Sequence, residues 1–315
     1  MNKNSKILIV GHGDIIEYSL RDHFRGAGYS DVQASSEIGL DPTIQASVYA
    51  YFQQHRPEYV FLGSTRSGGI EANRTRGAEF LYHNAESQNN IFYAALKFEV
   101  KKLLYFASSC VYPRECPQPM GEDLILTGPL EKTSEPYSVA KIAGIKMCAS
   151  FRAQYGFNAV AAVPATVYGP GSDIDAASGH VIGVLIKRFA DAVNEGQSEV
   201  TVWGSGRPRR EFLYVEDFVG ASRFLMERYD GEELINIGTG SDVKIVELAE
   251  MIASIAGFKG RITLDPSKPD GTMQKLLDNG RITRLGWKAE VPLANGIKRT
   301  LDWYSSNRRT GVSAA

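Results

Sequence analysis

The chain has 315 residues, with 35 basic and 36 acidic side chains, a net charge of −1 and 43% hydrophobic residues. That length can bury a large core, and the near-neutral charge gives no electrostatic case for nucleic acid or an anionic membrane as the main partner. The three cysteines, Cys110, Cys116 and Cys148, are too few and too irregularly spaced for a disulfide framework or a metal cluster. A reducing, cytoplasmic setting without a metal is therefore expected.

The opening "MNKNSK" leads straight into a short strand, with no apolar run of signal-peptide or membrane-span length. From there, short apolar runs alternate with amphipathic ones, the pattern of β-α-β units and a parallel sheet. Strands are predicted at Ile7–Val10, Val32–Ala34, Tyr59–Leu62, Leu103–Ala107 and Ala159–Val163. Helices are predicted at Ile15–Arg25, with Ile16, Leu20 and Phe24 on one stripe, at Ala78–Lys97 and at Tyr137–Gln154. After "YGPG" at Tyr168–Gly171 the regular alternation fails. Short strands such as "VTVWG" and "LINIG" then mix with helices near 244–256 and 295–305, and "IKRTLDWY" reads as packing. The expected fold class is α/β: a Rossmann-type doubly wound parallel sheet over residues 1–168, with a smaller mixed α/β C-terminal substrate lobe over 169–315. The chain is expected to cross back towards the first domain near 210–240. The tail "NRRTGVSAA" is expected to fray.

Chemistry concentrates in two places. The first is "KILIVGHGDIIEYSL", a buried strand followed by Gly11, His12 and Gly13 and then a helix, as in a dinucleotide-binding unit. The second begins where the strand 103–107 ends on Ser108, Ser109 and Cys110, at the carboxyl edge of the sheet where ligands of such folds bind. Tyr137 and Lys141 then fall four apart on a helix, which stacks phenol and ammonium on one face. A free phenol ionises near pH ~10 and serves as a proton donor or acceptor at neutrality only when a nearby cation stabilises its anion. Lys141 supplies that charge, and a serine at the strand end can hydrogen-bond the same substrate oxygen, which together suit a carbonyl being reduced by hydride.

With those residues go "GGIEAN", "SSCVYP", "QPMGE", "EPYSVAKIAGIK", "VYGPGSD", "GHVIGVLIKRF", "VWGSGRPRREFL" and "KPDGTMQKLLD", in order along essentially the whole chain. In these motifs the chain resembles the extended short-chain dehydrogenase/reductase family, and within it the GDP-L-fucose synthase branch of GDP-4-keto-6-deoxymannose 3,5-epimerase-4-reductases. The resemblance implies a GDP-sugar substrate, NADP as coenzyme with NAD as the other candidate, and a homodimer formed through the helices over 78–97 and 137–154. It makes Tyr137 the proton donor, Lys141 its partner and a ligand of the nicotinamide ribose, and Ser108 the third member. Cys110 and His180 receive the epimerase work of exchanging protons beside the keto group, for which a thiol near ~8.5 and an imidazole near ~6.5 suit neutral pH. Coenzyme contacts are implied at Gly11, His12, Gly13, Ile15, Ile16, Ser35, Ser36, Asp41, Leu62, Pro164, Val167 and His180. Substrate contacts are implied at Ser109, Arg188, Trp203, Arg210 and Lys275, where cations can pair with phosphate oxygens and an indole offers a flat face. Cys148 reads as helix packing and Cys116 as incidental.

The chain departs from the family in three places. Where the family loop reads G-H-R-G-x-x-G, Gly13 replaces the arginine, Asp14 the next glycine and Glu17 the last. Asp14 is expected to cap the helix with its own carboxylate, taking amide hydrogens that otherwise hold phosphate, and both acids add negative charge near a negative ligand. After the second strand, "QASSEIGLD" has neither an arginine for a 2'-phosphate nor an acid at the strand end for a 2'-hydroxyl, and Arg66 is a candidate replacement cation. Thr166 stands where the family usually has asparagine. An altered loop argues against a 4-epimerase that must hold its coenzyme through a full cycle, and fits a reductase that exchanges it at each turnover. The rival expectation is a sugar-nucleotide-binding protein with impaired coenzyme binding, limited to proton exchange.

Overall fold

The structure, a computed structural model, describes residues 1–63, 66–174 and 179–309. Ser64 and Thr65 of "LGSTRSGG", and residues 310–315 of the tail expected to fray, lie outside the described residues. The first half alternates β1 (Lys6–Val10), α1 (Ile15–Gly26), β2 (Asp31–Ala34), α2 (Gln45–His55), β3 (Tyr59–Leu62), α3 (Ile70–Thr75), α4 (Gly77–Lys97), β4 (Lys102–Phe106), α5 (Glu135–Tyr155) and β5 (Ala159–Pro164). The second half runs through β6 (Thr166–Tyr168), α6 (Val181–Asn194), β7 (Glu199–Trp203), β8 (Arg209–Tyr214), α7 (Val215–Arg228), β9 (Ile235–Ile237), β10 (Asp242–Lys244), α8 (Ile245–Ala256), β11 (Arg261–Asp265), β12 (Gln274–Lys275), α9 (Gly280–Arg284) and α10 (Leu293–Arg309).

Ile7, Leu8, Ile9 and Val10 are all at most 1% exposed, because helices cover both faces of the sheet and leave no polar face to alternate. The sheet order is β2-β1-β3-β4-β5-β9, with every neighbouring pair parallel. The order in which strands are added reverses between β1 and β3, and the carboxyl ends flanking that switch point are where a doubly wound sheet binds ligands. β9 comes from "LINIG", which the sequence groups with the C-terminal strands; three residues are too short to declare their partner. α2 goes unread for a related reason, since only Val48 and Phe52 of its residues are buried. A second core gathers around Ile186, Phe189, Leu248 and Ile252, between α6 and α8, with Ile297 of α10 packed in as the packing role of "IKRTLDWY" requires.

Helix α5 is held unusually close to β4. A Cβ at Gly144 would fall 2.2 Å from the ring of Tyr105, so only glycine lets helix and strand approach this far. Tyr105 then donates to Gln88 Oε1 at 2.9 Å, and Gln88 Nε2 donates to the Ala140 carbonyl at 2.9 Å, tying α4, α5 and the sheet together. Cys148 is buried on the same helix.

Candidate active site

The carboxyl ends of β1, β3, β4 and β5 open into a cleft of about 1220 Å³ whose opposite wall comes from α6, β7, β8 and residues 268–275. Ser108 ends the β4 segment and opens a short turn, Ser109–Val111, with its hydroxyl accepting from the Cys110 amide at 3.4 Å. Tyr137 stands in the first turn of α5, which Pro136 helps to start, and Lys141 follows one turn later. Lys141 is 1% exposed and does not reach the cleft surface. Its Nζ donates to the Phe106 carbonyl at 3.0 Å and lies 6.0 Å from the centre of the Tyr137 ring. Since Phe106 is the last residue of β4, the lysine is anchored to the strand that presents Ser108. Burial lowers its ammonium from 10.5 to about 7, with the Asp14 carboxylate pulling the other way.

Cys110 lies beside Lys275, whose Nζ is 3.3 Å from Sγ. Burial alone would raise the thiol, but the Lys275 charge and hydrogen bonds with Ser108, Lys275 and Ser134 bring it below its ordinary value. Lys275 pairs with Arg210 in the parallel β12–β8 register, so the two cations enter the cleft from adjacent strands. His180 precedes α6 at the cleft wall, and desolvation there lowers its imidazole; Asp173 opposes that effect and Lys275 adds to it. At the far end, Trp203 is 48% exposed, with the Arg188 guanidinium 5.0 Å and the Lys268 ammonium 5.2 Å from its ring.

The turn after β1 is built differently from a glycine-rich phosphate loop. Asp14 caps α1 as its sequence position predicts, accepting the Glu17 amide at 3.0 Å. Burial raises its carboxyl to about 6. Glu17 is fully buried and faces inward, accepting the Gly13 amide at 2.6 Å, the Ser36 amide at 2.8 Å and the Ser35 hydroxyl at 3.0 Å.

Residues 8–238 match the NAD dependent epimerase/dehydratase family. The chain belongs to that family. It is 42% identical over 306 residues to GDP-L-fucose synthase 1 of Arabidopsis thaliana, covering 97% of this chain and 95% of that one. Among solved structures, a GDP-6-OMe-4-keto-L-xylo-heptose reductase from C. jejuni superposes with a TM-score of 0.92 at 32% identity, covering 98% of this chain and 99% of that one. A GDP-mannoheptose C4 reductase from Campylobacter jejuni with NADP bound superposes with a TM-score of 0.89 at 33% identity, covering 97% and 99%.

In this family member the cleft wall brings together Gly13, Ile15, Ile16, Ser108, Ser109, Cys110, Tyr137, Pro164, Val167, His180, Arg188, Trp203, Arg210 and Lys275, along with Thr166. Gly11, His12, Ser35, Ser36, Asp41 and Leu62 lie outside it. Leu62 and Ser35 are core residues, at 1% and 0% exposure, and the Ser35 hydroxyl is spent on Gly11 and Glu17. His12 is lowered to about 4, chiefly by burial and then by Arg66. Asp41 closes on Thr43, whose amide and hydroxyl it accepts at 2.9 and 2.7 Å. Arg66 is engaged with Glu79 at 3.3 Å. Among the cleft residues that escape sequence reading are Ser134, on the thiol; Lys268, on the indole; and Thr272, whose buried hydroxyl finds no partner among the described residues. The last two sit in the "KPDGT" motif, which marked the segment but not the side chains.

Proposed function

We propose that this chain is an NADPH-dependent epimerase-reductase of a GDP-4-keto-6-deoxyhexose. The observation that carries the reading is the placement of two chemistries in one cleft: Tyr137 with its buried lysine, and Cys110 with its thiol lowered beside Lys275. A plain reductase needs only the first. The ketone acidifies its neighbouring carbons, and a thiol lowered by a cation can take such a proton at neutral pH. His180, at the cleft wall just before α6, is the partner in returning protons. Tyr137 then gives its proton to the ketone oxygen, Ser108 holds that oxygen, and the Lys141 charge stabilises the phenolate left behind.

The residues present fit a nicotinamide dinucleotide at its reactive end, where Tyr137, Pro164 and Val167 line the cleft and Lys141 lies beneath. When bound, NADPH supplies the hydride. Ile15 and Ile16 at the start of α1 line the cleft on the side where its phosphates would lie. Arg188, Arg210 and Lys275 hold the diphosphate of the GDP-sugar, with Trp203 against its base or sugar. The three cysteines are free, and no helix among the described residues is long and apolar enough to cross a membrane; we infer a cytoplasmic enzyme. Leu81 and Tyr82 on α4 and Val139 on α5 are large apolar side chains left exposed on the paired helices, and we infer that two copies meet there.

The test is NADPH oxidation at 340 nm with GDP-4-keto-6-deoxymannose. Wild type should consume NADPH, and Tyr137→Phe should lose at least ~10²-fold in rate, the usual weight of a positioned proton donor. Undiminished turnover by Tyr137→Phe would remove it from the mechanism. No NADPH consumption by wild type would leave the proton-exchange reading in its place.

A further inference from the structure

We propose that Glu17 is an internal anion that occupies the Gly13 amide of the β1–α1 turn and the Ser36 amide after β2, and thereby sets how loosely this enzyme holds its coenzyme. The inference rests on the coenzyme reading above. In a doubly wound sheet the pyrophosphate is met by the turn after β1 and the start of the following helix, where amide hydrogens and the helix dipole favour negative charge. Here that device is satisfied from within. Glu17 Oε2 accepts from Gly13 at 2.6 Å, while Oε1 accepts from Ser36 at 2.8 Å and from the Ser35 hydroxyl at 3.0 Å. Asp14 takes the amides of Ile16 and Glu17.

The surroundings are shaped for this carboxylate. A Cβ at Gly11 would fall 2.5 Å from Glu17 Cβ and 2.9 Å from its Oε2, so the turn's first glycine leaves its space to Glu17. The Ser35 hydroxyl completes the bridge by accepting the Gly11 amide at 2.9 Å while its one hydrogen goes to Glu17. Glu17 thus joins the turn after β1 to the end of β2, the two strand ends beside the adenosine half of a coenzyme. Each amide directs its one hydrogen at the carboxylate, so neither is left for an incoming phosphate. The coenzyme then depends on its nicotinamide end for most of its hold, as suits an enzyme that exchanges it at every turnover.

Glu17→Gln keeps the size of the side chain and removes its charge; Glu17→Gly removes both. NADPH binding is followed by tryptophan fluorescence, together with the melting temperature and the KM of each substrate. Glu17→Gln should bind NADPH about tenfold more tightly and lower KM for NADPH alike, as expected for loss of one nearby charge in a partly shielded site. KM for the keto sugar should stay unchanged. Should Glu17→Gln not fold, Glu17→Gly carries the same expectation. Tighter binding by the variants where wild type shows none would support the proposal. A folded variant that binds NADPH no better than wild type, or whose two KM values move together, would overturn it and assign Glu17 a stapling role alone. The functional reading fails separately, if wild type does not oxidise NADPH with the keto sugar.

Discussion

Lys141 should be a destabilising residue whose cost varies with pH in a calculable way. Its ammonium titrates near 10.5 when exposed and about 7 when buried in α5. Between those values the unfolded chain carries a proton that the folded chain has released, so stability must rise with pH across that window, and the full penalty applies below pH 7. At ~1.4 kcal/mol per decade, the penalty is near ~5 kcal/mol at pH 6 and near ~3 kcal/mol at pH 8.5. Lys141→Met keeps an unbranched apolar stem and removes the charge, but strands the Phe106 carbonyl that Nζ now satisfies at 3.0 Å, at a cost of ~1–3 kcal/mol. The variant should therefore be more stable than wild type at pH 6 and near parity at pH 8.5, an advantage that shrinks by ~2 kcal/mol. Urea unfolding of both coenzyme-free proteins at the two pH values measures this directly. A variant destabilised by the same amount at both would refute the reasoning, because the lysine would then titrate alike in the folded and unfolded chains. NADPH oxidation by the variant should fall by at least ~10²-fold, separating function from stability at one residue.

Three further outcomes follow from the same cleft and its outer helices. Lys275→Ala removes the charge that lowers the Cys110 thiol, so iodoacetamide should label Cys110 about three- to tenfold more slowly at pH 7; an unchanged labelling rate would show that the thiol owes nothing to Lys275. Solvent-deuterium uptake beside the ketone should fall with it, and should vanish in Cys110→Ser. Light scattering should find two copies in solution, and Leu81→Asp combined with Val139→Asp should give a folded monomer; an undisturbed dimer would place the interface elsewhere.

The sequence discloses the sheet better than the site because the two depend on different ranges of contact. β3 is read at its observed limits, Tyr59–Leu62, since a strand covered on both faces must be an apolar run bounded by polar residues. Asp14 is readable as a cap for a similarly local reason: its acceptor lies three residues from the amide it satisfies. Nothing local links Lys275 to Cys110, which are 165 residues apart and meet only because β12 pairs with β8 opposite the end of β4. Glu17 is the instructive case between these. Its position identifies an acid in a phosphate turn, and from that alone it is expected to repel the ligand at the surface. Its direction depends on the Ser35 hydroxyl and the Ser36 amide, brought alongside by the β1–β2 pairing.

Three charged side chains of this site, two buried and one half-buried, share a logic. Lys141 gives its hydrogen bond to a strand carbonyl, Glu17 satisfies two turn amides, and Asp14 closes the helix that follows. Each side chain holds a backbone group that would otherwise face the ligand or lose its partner, so the rigidity of the coenzyme side is purchased with desolvated charge. The substrate side is arranged in the opposite way. Lys275 is aimed at a thiol, Trp203 is half exposed between two cations, and the Thr272 hydroxyl is buried with no partner among the described residues. The unmet Thr272 hydroxyl and the open face of Trp203 are what a bound substrate completes on that side, and internally satisfied donors on the other are what let a coenzyme leave. A reaction that keeps one sugar through epimerisation and reduction, and draws a fresh coenzyme for each turnover, requires that asymmetry.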